Sequence, residues 1–316
     1  GSVGRIPYCM KAWYDIKELH VEPTSRCNAG CPMCARNVYG KSLNPYISLT
    51  SMSLNDFKNY ITPPILFQME KIFFCGNVGD PAVTPELQQI CSYIKAVNPD
   101  CVLGINTNGG VRKPDWWRRL GEIFEGPLDY VVFSIDGLSD TNHVYRRNVK
   151  WEKLVANVEA YISTGASAQW DTLLFEHNKH QIGRMKELAY EKGFTWFRVK
   201  ETDRWDTYTD IENIRPVTPY VKPDYSNVEI ECEKDRDSSV FLDYTGKIWP
   251  CCHMAEAYLN KVGYELHTDL RKHNNLELFN NYDVKIKNNN PFFICQRACG
   301  KTLSKRDQWK EEVQLR

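Results

Sequence analysis

The chain has 316 residues, 42% of them hydrophobic, with 40 basic and 40 acidic side chains; that is enough for one full core plus a smaller appended unit. Balanced charge argues against a general nucleic-acid binder, which carries a basic excess, and no stretch is apolar for long enough to cross a membrane as a helix. The 12 cysteines, several at ligand spacings and without a signal peptide ahead of them, read as metal ligands and buried thiols of a cytoplasmic protein, not as a disulfide framework.

Gly1-Ser2 without an initiator Met reads as a tag remnant, with Met10 as the native start, so residues 1–9 and their Cys9 are set aside. Strand and helix then alternate. Lys17–Glu22 is a first strand, and Ser53-Leu54-Asn55-Asp56 opens a short helix with a good cap. Lys71–Cys75 is a strand, Pro85–Val97 a helix, Val102–Asn106 a strand, Pro114–Phe124 a helix and Tyr130–Ile135 a strand. Trp151–Thr164 is a helix, Gln169–Leu174 a strand, His180–Glu191 a helix ended by Gly193, and Phe194–Val199 a sixth strand. Six such units with short connections predict an α/β fold, a partial (β/α)6 TIM-like barrel over residues 10–199 with its site at the C-terminal ends of the strands. Residues 200–230 lose periodicity and read as a linker in which Glu201, Asp203, Arg204 and Trp205 lie over the barrel mouth as candidate substrate contacts. Residues 231–300 form a second unit built on a hairpin, and 301–316 a charged, helix-prone tail with a solvated face.

The stretch Pro23–Cys34 places Cys27, Cys31 and Cys34 within eight residues directly after the first strand. Soft thiolates at C-x3-C-x2-C spacing suit three corners of an iron–sulfur cubane and leave one iron without a local ligand. No fourth Cys or His follows at finger spacing, which speaks against a structural zinc knuckle. This loop resembles the signature of the radical S-adenosylmethionine (radical SAM) superfamily, in which the amino and carboxylate groups of S-adenosylmethionine chelate the fourth iron.

The resemblance continues at the strand ends. Gly76-Asn77-Val78-Gly79-Asp80-Pro81 is similar to the family's GGEP motif, with Asn-Val inserted and Asp80 in place of Glu, and implies Gly76, Asn77, Gly79 and Asp80 around the methionyl amino group. Asn106-Thr107-Asn108-Gly109 resembles its TNG stretch, implying Asn106 and Asn108 beside the ribose or carboxylate. Ser134-Ile135-Asp136-Gly137 with His143, Arg146 and Arg147 resembles its SIDG…H…R segment. Ser134 and Asp136 are then expected at the cofactor, and Arg147, favoured over Arg146 by the family spacing, at its carboxylate through a bidentate fork. Gln169, with Asp171 and Asn178, is expected to reach the nucleoside.

In the second unit, Cys232 precedes a hairpin, Ser239–Asp243 and Lys247–Trp249, followed by Cys251-Cys252 and, further on, by Cys295 and Cys299. Four thiolates can close all corners of a second [4Fe–4S] cluster, or hold a structural zinc. The arrangement resembles the twitch domain, the shortened relative of the SPASM domain, in which the spacing from Gly246 selects Cys251 over Cys252. His253 and His267 stand nearby as candidate supporting groups, and Cys75, Cys91 and Cys101 read as small buried hydrophobes.

The resemblance implies an oxidoreductase-like enzyme with two [4Fe–4S] clusters and S-adenosylmethionine, fed by an external donor such as a flavodoxin or ferredoxin. Reductive cleavage would give a 5′-deoxyadenosyl radical that abstracts a substrate hydrogen, followed by a net oxidation or rearrangement. A small-molecule substrate is favoured because so little chain precedes Lys17, where peptide-modifying relatives often carry a leader-binding domain. The alternatives are modification of a ribosomally made peptide and, more remotely, a non-enzymatic iron–sulfur or zinc protein.

Overall fold

The structure, a computed structural model, describes residues 16–206, 208, 211–226, 228–260, 293–301 and 309–316. Residues 1–9, Met10, His267 and the stretch leading to Cys295 lie in whole or in part outside them.

In chain order, β1 (Glu18–Val21) leads through the cysteine loop to a small hairpin, β2 (Asn37–Val38) and β3 (Ser42–Leu43). α1 (Leu54–Tyr60) follows, then α2 (Pro63–Phe67), β4 (Lys71–Phe74), α3 (Leu87–Val97), β5 (Val102–Thr107), α4 (Pro114–Ile123) and β6 (Tyr130–Ser134). α5 (Asn142–Tyr145), α6 (Trp151–Ile162), β7 (Ser167–Leu173), α7 (Ile182–Lys192) and β8 (Trp196–Lys200) complete the alternation. The C-terminal part adds β9 (Glu229–Ile230), α8 (Glu233–Arg236), β10 (Ser239–Leu242), β11 (Ile248–Trp249) and α9 (Cys252–Asn260). A helix Phe293–Cys299, β12 (Gly300–Lys301) and β13 (Trp309–Gln314) end it.

Local chemistry explains the boundaries. Ser53 Oγ accepts from the Asp56 amide at 3.1 Å while the Asp56 carboxylate accepts from the Ser53 amide at 2.9 Å, a reciprocal cap that starts α1. Gly193, at φ +93°, takes the left-handed turn that stops α7.

β1, β4, β5, β6, β7 and β8 pair in parallel in that order, the six strands of the expected partial barrel. Their outer faces pack on the helices through large buried rings, among them Trp117, Phe133, Trp170, Phe194 and Phe197.

The expected β10–β11 hairpin forms, and β10 also runs parallel to β1 and extends the same sheet. One expectation is corrected. The tail is not helical where described, since β13 pairs antiparallel with β8 and closes the far edge, giving nine strands in all. Alternating exposure along Trp-Lys-Glu-Glu-Val-Gln is the period of a strand, which its charge had disguised as a helix. The C-terminal part does have a small core of its own, Phe241, Trp249, Met254, Ala255 and Cys295.

Candidate functional site

The loop after β1 is held from several sides. Ser25 Oγ donates to the Ser48 carbonyl at 2.7 Å, Arg36 Nη1 to the Ser25 carbonyl at 2.6 Å and Arg204 Nη1 to the Met33 carbonyl at 2.9 Å. These ties turn Cys27, Cys31 and Cys34 toward one cavity of about 970 Å³ at the C-terminal ends of the strands. Each sulfur has a polar neighbour: Asn108 Nδ2 is 3.7 Å from Cys27 Sγ, Arg146 Nη1 3.8 Å from Cys31 Sγ, and the Asn77 carbonyl 3.8 Å from Cys34 Sγ. Burial pushes the Cys31 thiol up to about 11 and raises Cys27 and Cys34 as well. Buried thiols so placed are protonated until a soft metal displaces their protons.

The Gly76–Pro81 turn is built on Glu22, a residue the sequence reading passed over because a single acid at a strand end carries no pattern. Glu22 is 1% exposed, and its Oε1 accepts from the Val78 amide at 2.7 Å and the Gly79 amide at 3.1 Å. Gly79 packs so closely on the start of the loop after β1 that a Cβ there would stand 1.7 Å from the Thr24 carbonyl oxygen, which is why the position takes only glycine. Asn77 Nδ2 donates across to the Cys252 carbonyl at 2.9 Å.

Asp80 does not point a free carboxylate at the cavity. It accepts from Thr107 Oγ1 at 2.9 Å, the Asn108 amide at 2.8 Å, Asn108 Nδ2 at 2.6 Å and the Ala82 amide at 3.0 Å. Its part is to hold Asn108 against the cysteine loop, where Asn108 also bonds Asn28 at 2.9 Å. Asn106 faces the cavity with its Oδ1 buried and unpartnered among the described residues, an acceptor open to a ligand's donor.

Ser134 and Asp136 also line the cavity, but the expected arginine is corrected. Arg146, not Arg147, enters: its Nε donates to Asp136 Oδ2 at 2.6 Å, whereas Arg147 Nη1 reaches the Tyr39 carbonyl at 3.3 Å near the surface. The reason is that α5 is a single turn whose C-cap is Arg146, so the chain reverses there and sends the next side chain outward. Gln169 is likewise not on the cavity wall, which β7 supplies from Asp171 onward. Asp171 forms a two-pronged pair with Arg198 at 2.7 and 2.9 Å, and Asn178 is spent on the Asp136 and Leu173 carbonyls at 2.9 and 2.8 Å.

Past β8, Glu201, Asp203 and Arg204 line the cavity as expected. Trp205 does not; its ring packs 6.1 Å from Phe175 against the barrel core. Lys200 and Trp309, both missed, also face the cavity, the Lys200 ammonium 5.1 Å from the Trp309 ring centre. Trp309 could not have been placed without knowing that β13 returns to the sheet. Cys75, expected to be buried filler, lines the cavity too.

Of the second cysteine set, Cys295 lies in the small C-terminal core with Cys251 and Cys252 against it. Burial raises the Cys251 thiol, and the neighbouring Cys252, Cys295 and Cys299 raise it further. β9 pairs with β12, and the Glu231 amide donates to the Cys299 carbonyl at 3.1 Å, which brings Cys232 beside Cys299 in the chain fold. Among the described residues no group of three His, Cys, Asp or Glu side chains is gathered for a single metal ion. A cubane asks for something else, separate thiolates around a cluster, and three thiols facing one cavity are a donor set of that kind.

A family model described as "Radical SAM superfamily" matches residues 21–189. The chain is 22% identical over 270 residues to the "Tungsten-containing aldehyde ferredoxin oxidoreductase cofactor-modifying protein" of Pyrococcus furiosus, covering 77% of this chain and 73% of that one. It is 22% identical over 184 residues to a GTP 3′,8-cyclase of Staphylococcus aureus, covering 56% and 52%. Its fold is similar to that of Streptococcus suis SuiB bound to S-adenosylmethionine, with a TM-score of 0.55, 14% identity and coverage of 79% of this chain. The chain spans 62% of the SuiB chain and about half of the cyclase.

Proposed function

Because the chain belongs to the radical SAM superfamily, we propose that Cys27, Cys31 and Cys34 hold a [4Fe–4S] cluster beside bound S-adenosylmethionine and that the enzyme removes a hydrogen atom from a small molecule in the same cavity. The observation that carries this reading is one cavity lined at once by the three loop cysteines, by Asn106, Asn108 and Ser134, and by the Glu201–Arg204 segment. The cluster, once reduced by an external donor, would pass one electron to the cofactor and so supply the 5′-deoxyadenosyl radical; the protein supplies position and exclusion of water.

The residues divide that work. The backbone of Gly76, Asn77 and Gly79, fixed by Glu22, offers carbonyls to an ammonium group. Asp80 orients Asn108, and Asn106 has a free acceptor. Arg146, oriented by Asp136, is the cation for a carboxylate, and Ser134 stands beside it. Glu201, Asp203 and Lys200 face the volume left for substrate.

A second [4Fe–4S] cluster on Cys232, Cys251, Cys295 and Cys299 belongs to the same proposal, with residues 231–300 as a twitch unit and residues 10–199 as the barrel. Saturated by four thiolates, such a cluster would serve to accept an electron, which suits a net oxidation. Cys251 rather than Cys252 is the ligand in this proposal, because the spacing from Gly246 to Cys251 is the one the twitch resemblance implies. The relative from P. furiosus is named for modifying a cofactor, which accords with a small-molecule substrate. The alternative, a ribosomally made peptide, accords with SuiB, whose fold is similar and which has been crystallised bound to its precursor peptide SuiA.

The test is anaerobic reconstitution, expected to give about eight irons per chain from two cubanes, and formation of 5′-deoxyadenosine on reduction. Changing Cys27, Cys31 and Cys34 together to Ala should leave about four irons and no 5′-deoxyadenosine. Full iron content in that variant, or intact S-adenosylmethionine with the parent, would refute the assignment.

A further inference from the structure

The part of the cavity left for substrate is walled by a cation without an acidic partner. Lys200 closes β8, and strand register sets it opposite Trp309, which opens β13. Both line the cavity, and the Lys200 ammonium lies 5.1 Å from the Trp309 ring centre. Among the described residues its Nζ has no ion pair and no hydrogen bond. The neighbouring acids are engaged elsewhere: Asp171 holds the two-pronged pair with Arg198, and Glu201 takes the Lys310 ammonium at 3.5 Å.

An aromatic face replaces only part of what an ammonium loses on leaving water. Burial accordingly lowers the Lys200 ammonium from its ordinary value; the Arg204 and Arg198 guanidinium groups add to the shift, and Asp171 and the Cys75 thiol oppose it. Other acids on the cavity wall are directed at other cations. Glu256, Asp203 and Glu233 act on His253, and Glu256 acts on Arg204 as well. Around Lys200 itself, Lys200, Arg198 and Arg204 stand against Asp171, a local excess of positive charge in a site that excludes much of the solvent.

Resting on the proposed function and naming its substrate class, we infer that the substrate is an anionic small molecule whose carboxylate or phosphate group is bound by Lys200 beside the Trp309 ring. A bound anion supplies the charge partner that the fold withholds, and it does so on the same cavity that the three loop cysteines line. Such a contact is remote from the bond that breaks, so its use is to fix the rest of the molecule in place for hydrogen removal. Because Trp309 comes from β13, the anion site is assembled only when the end of the chain has paired with β8.

The first experiment reads the amine itself. The reconstituted enzyme, with S-adenosylmethionine bound so that the site at Arg146 is filled, is treated with an acetylating ester, and modification of each lysine is followed by peptide mass spectrometry. Inorganic phosphate or succinate, compared with chloride at equal ionic strength, should protect Lys200, roughly tenfold at a concentration about ten times its Kd. Lys153, exposed on α6, is the internal control and should be modified at the same rate in all three salts.

The second experiment reads the substrate class. A protein-free extract of host metabolites is split on an anion exchanger, and each fraction is tested for raising 5′-deoxyadenosine formation by the reduced enzyme. The retained fraction should raise it; loss of the effect after phosphatase treatment assigns a phosphate, and survival assigns a carboxylate. Lys200→Met, once circular dichroism and iron content show it folded and loaded, should need at least about tenfold more of that fraction, the scale of a hydrogen bond to a charged group, and Lys200→Arg should need far less than Lys200→Met. If the parent forms no 5′-deoxyadenosine at all, the proposed function fails and protection of Lys200 alone decides the anion site. Stimulation by the unretained fraction only, or a Lys200→Met enzyme that responds as the parent does, would overturn the substrate class. Protection of Lys200 alongside either result would mean an adventitious ion only, and absence of protection by both phosphate and succinate would refute the site.

Discussion

Arg146 lies with its Nε 2.6 Å from a fully buried Asp136 carboxylate, whose other oxygen accepts from the Leu173 amide at 2.7 Å, while Arg147 spends its guanidinium on a surface carbonyl. The Asp136–Arg146 pair therefore has most to lose when one side is removed, because the fully buried Asp136 carboxylate would be left without its counter-charge. Arg146→Ala should cost about 3–5 kcal/mol of stability, the range for breaking a buried pair. Arg147→Ala, losing one partly exposed hydrogen bond, should cost about 0.5–1 kcal/mol. Urea unfolding of the metal-free variants measures both, and equal midpoints would mean that the two arginines do not divide in this way. Glu22 carries the other residue-scale consequence. Burial raises its carboxyl from 4.5 to about 8. An acid raised on folding binds its proton more tightly in the native state, so its contribution is fully present below the unfolded value of 4.5 and is lost as pH rises toward 8. Stability should accordingly decline between those values, by about 1.4 kcal/mol for each unit of the shift. Glu22→Gln keeps acceptor geometry without a titrating proton and should flatten that decline in denaturant curves taken at pH 5, 6.5 and 8.

At the scale of elements, the alternation from Glu18 to Lys200 was legible because the strands are short apolar runs buried on their helix-facing side while the helices between show a 3.6-residue period. Strand ends agreed to within two residues, and the ends of β5 and β6 with the loop after β1 carried Asn106, Ser134, Cys27, Cys31 and Cys34 to one cavity, as their positions implied. What was not legible depends on long-range return of the chain. Nothing local in Trp309–Gln314 says that it pairs with β8, and nothing in Ser239–Leu242 says that it lies parallel to β1, since register is a property of the partner as much as of the strand. Lys200 and Trp309 were missed for that reason. Arg147 was preferred to Arg146 for a different one: spacing along a sequence does not determine the direction of a side chain after a one-turn helix, whereas the cap at Arg146 does. Gln169 failed through depth, being two residues too early on β7 to reach the cavity wall.

Over the whole molecule, the C-terminal part is coupled to the barrel by backbone as well as by packing. β10 continues the barrel sheet, and Asn77 ties the Gly76–Pro81 turn to the start of α9 at Cys252. The cavity is accordingly shared: Cys31 and Asn106 line it from the barrel, and His253, Glu256 and Arg297 line it from the C-terminal part. In the proposed scheme hydrogen abstraction belongs to the barrel wall and departure of the second electron to the cysteines beyond it, so the two steps should separate by mutation. Cys299→Ala is expected to lower iron from about eight to about four per chain, to retain 5′-deoxyadenosine formation, and to lose oxidised product when assayed with a substrate the parent turns over. A cluster that ties β9, α9 and the helix Phe293–Cys299 together also contributes to folding, so circular dichroism and an unfolding midpoint must first show that the variant keeps the barrel. A folded Cys299→Ala protein with only the first cluster that still makes oxidised product at the parent rate would rule out electron acceptance by the second. One that makes neither product nor 5′-deoxyadenosine would show instead that the C-terminal part completes the barrel site, for which the shared cavity supplies the physical reason.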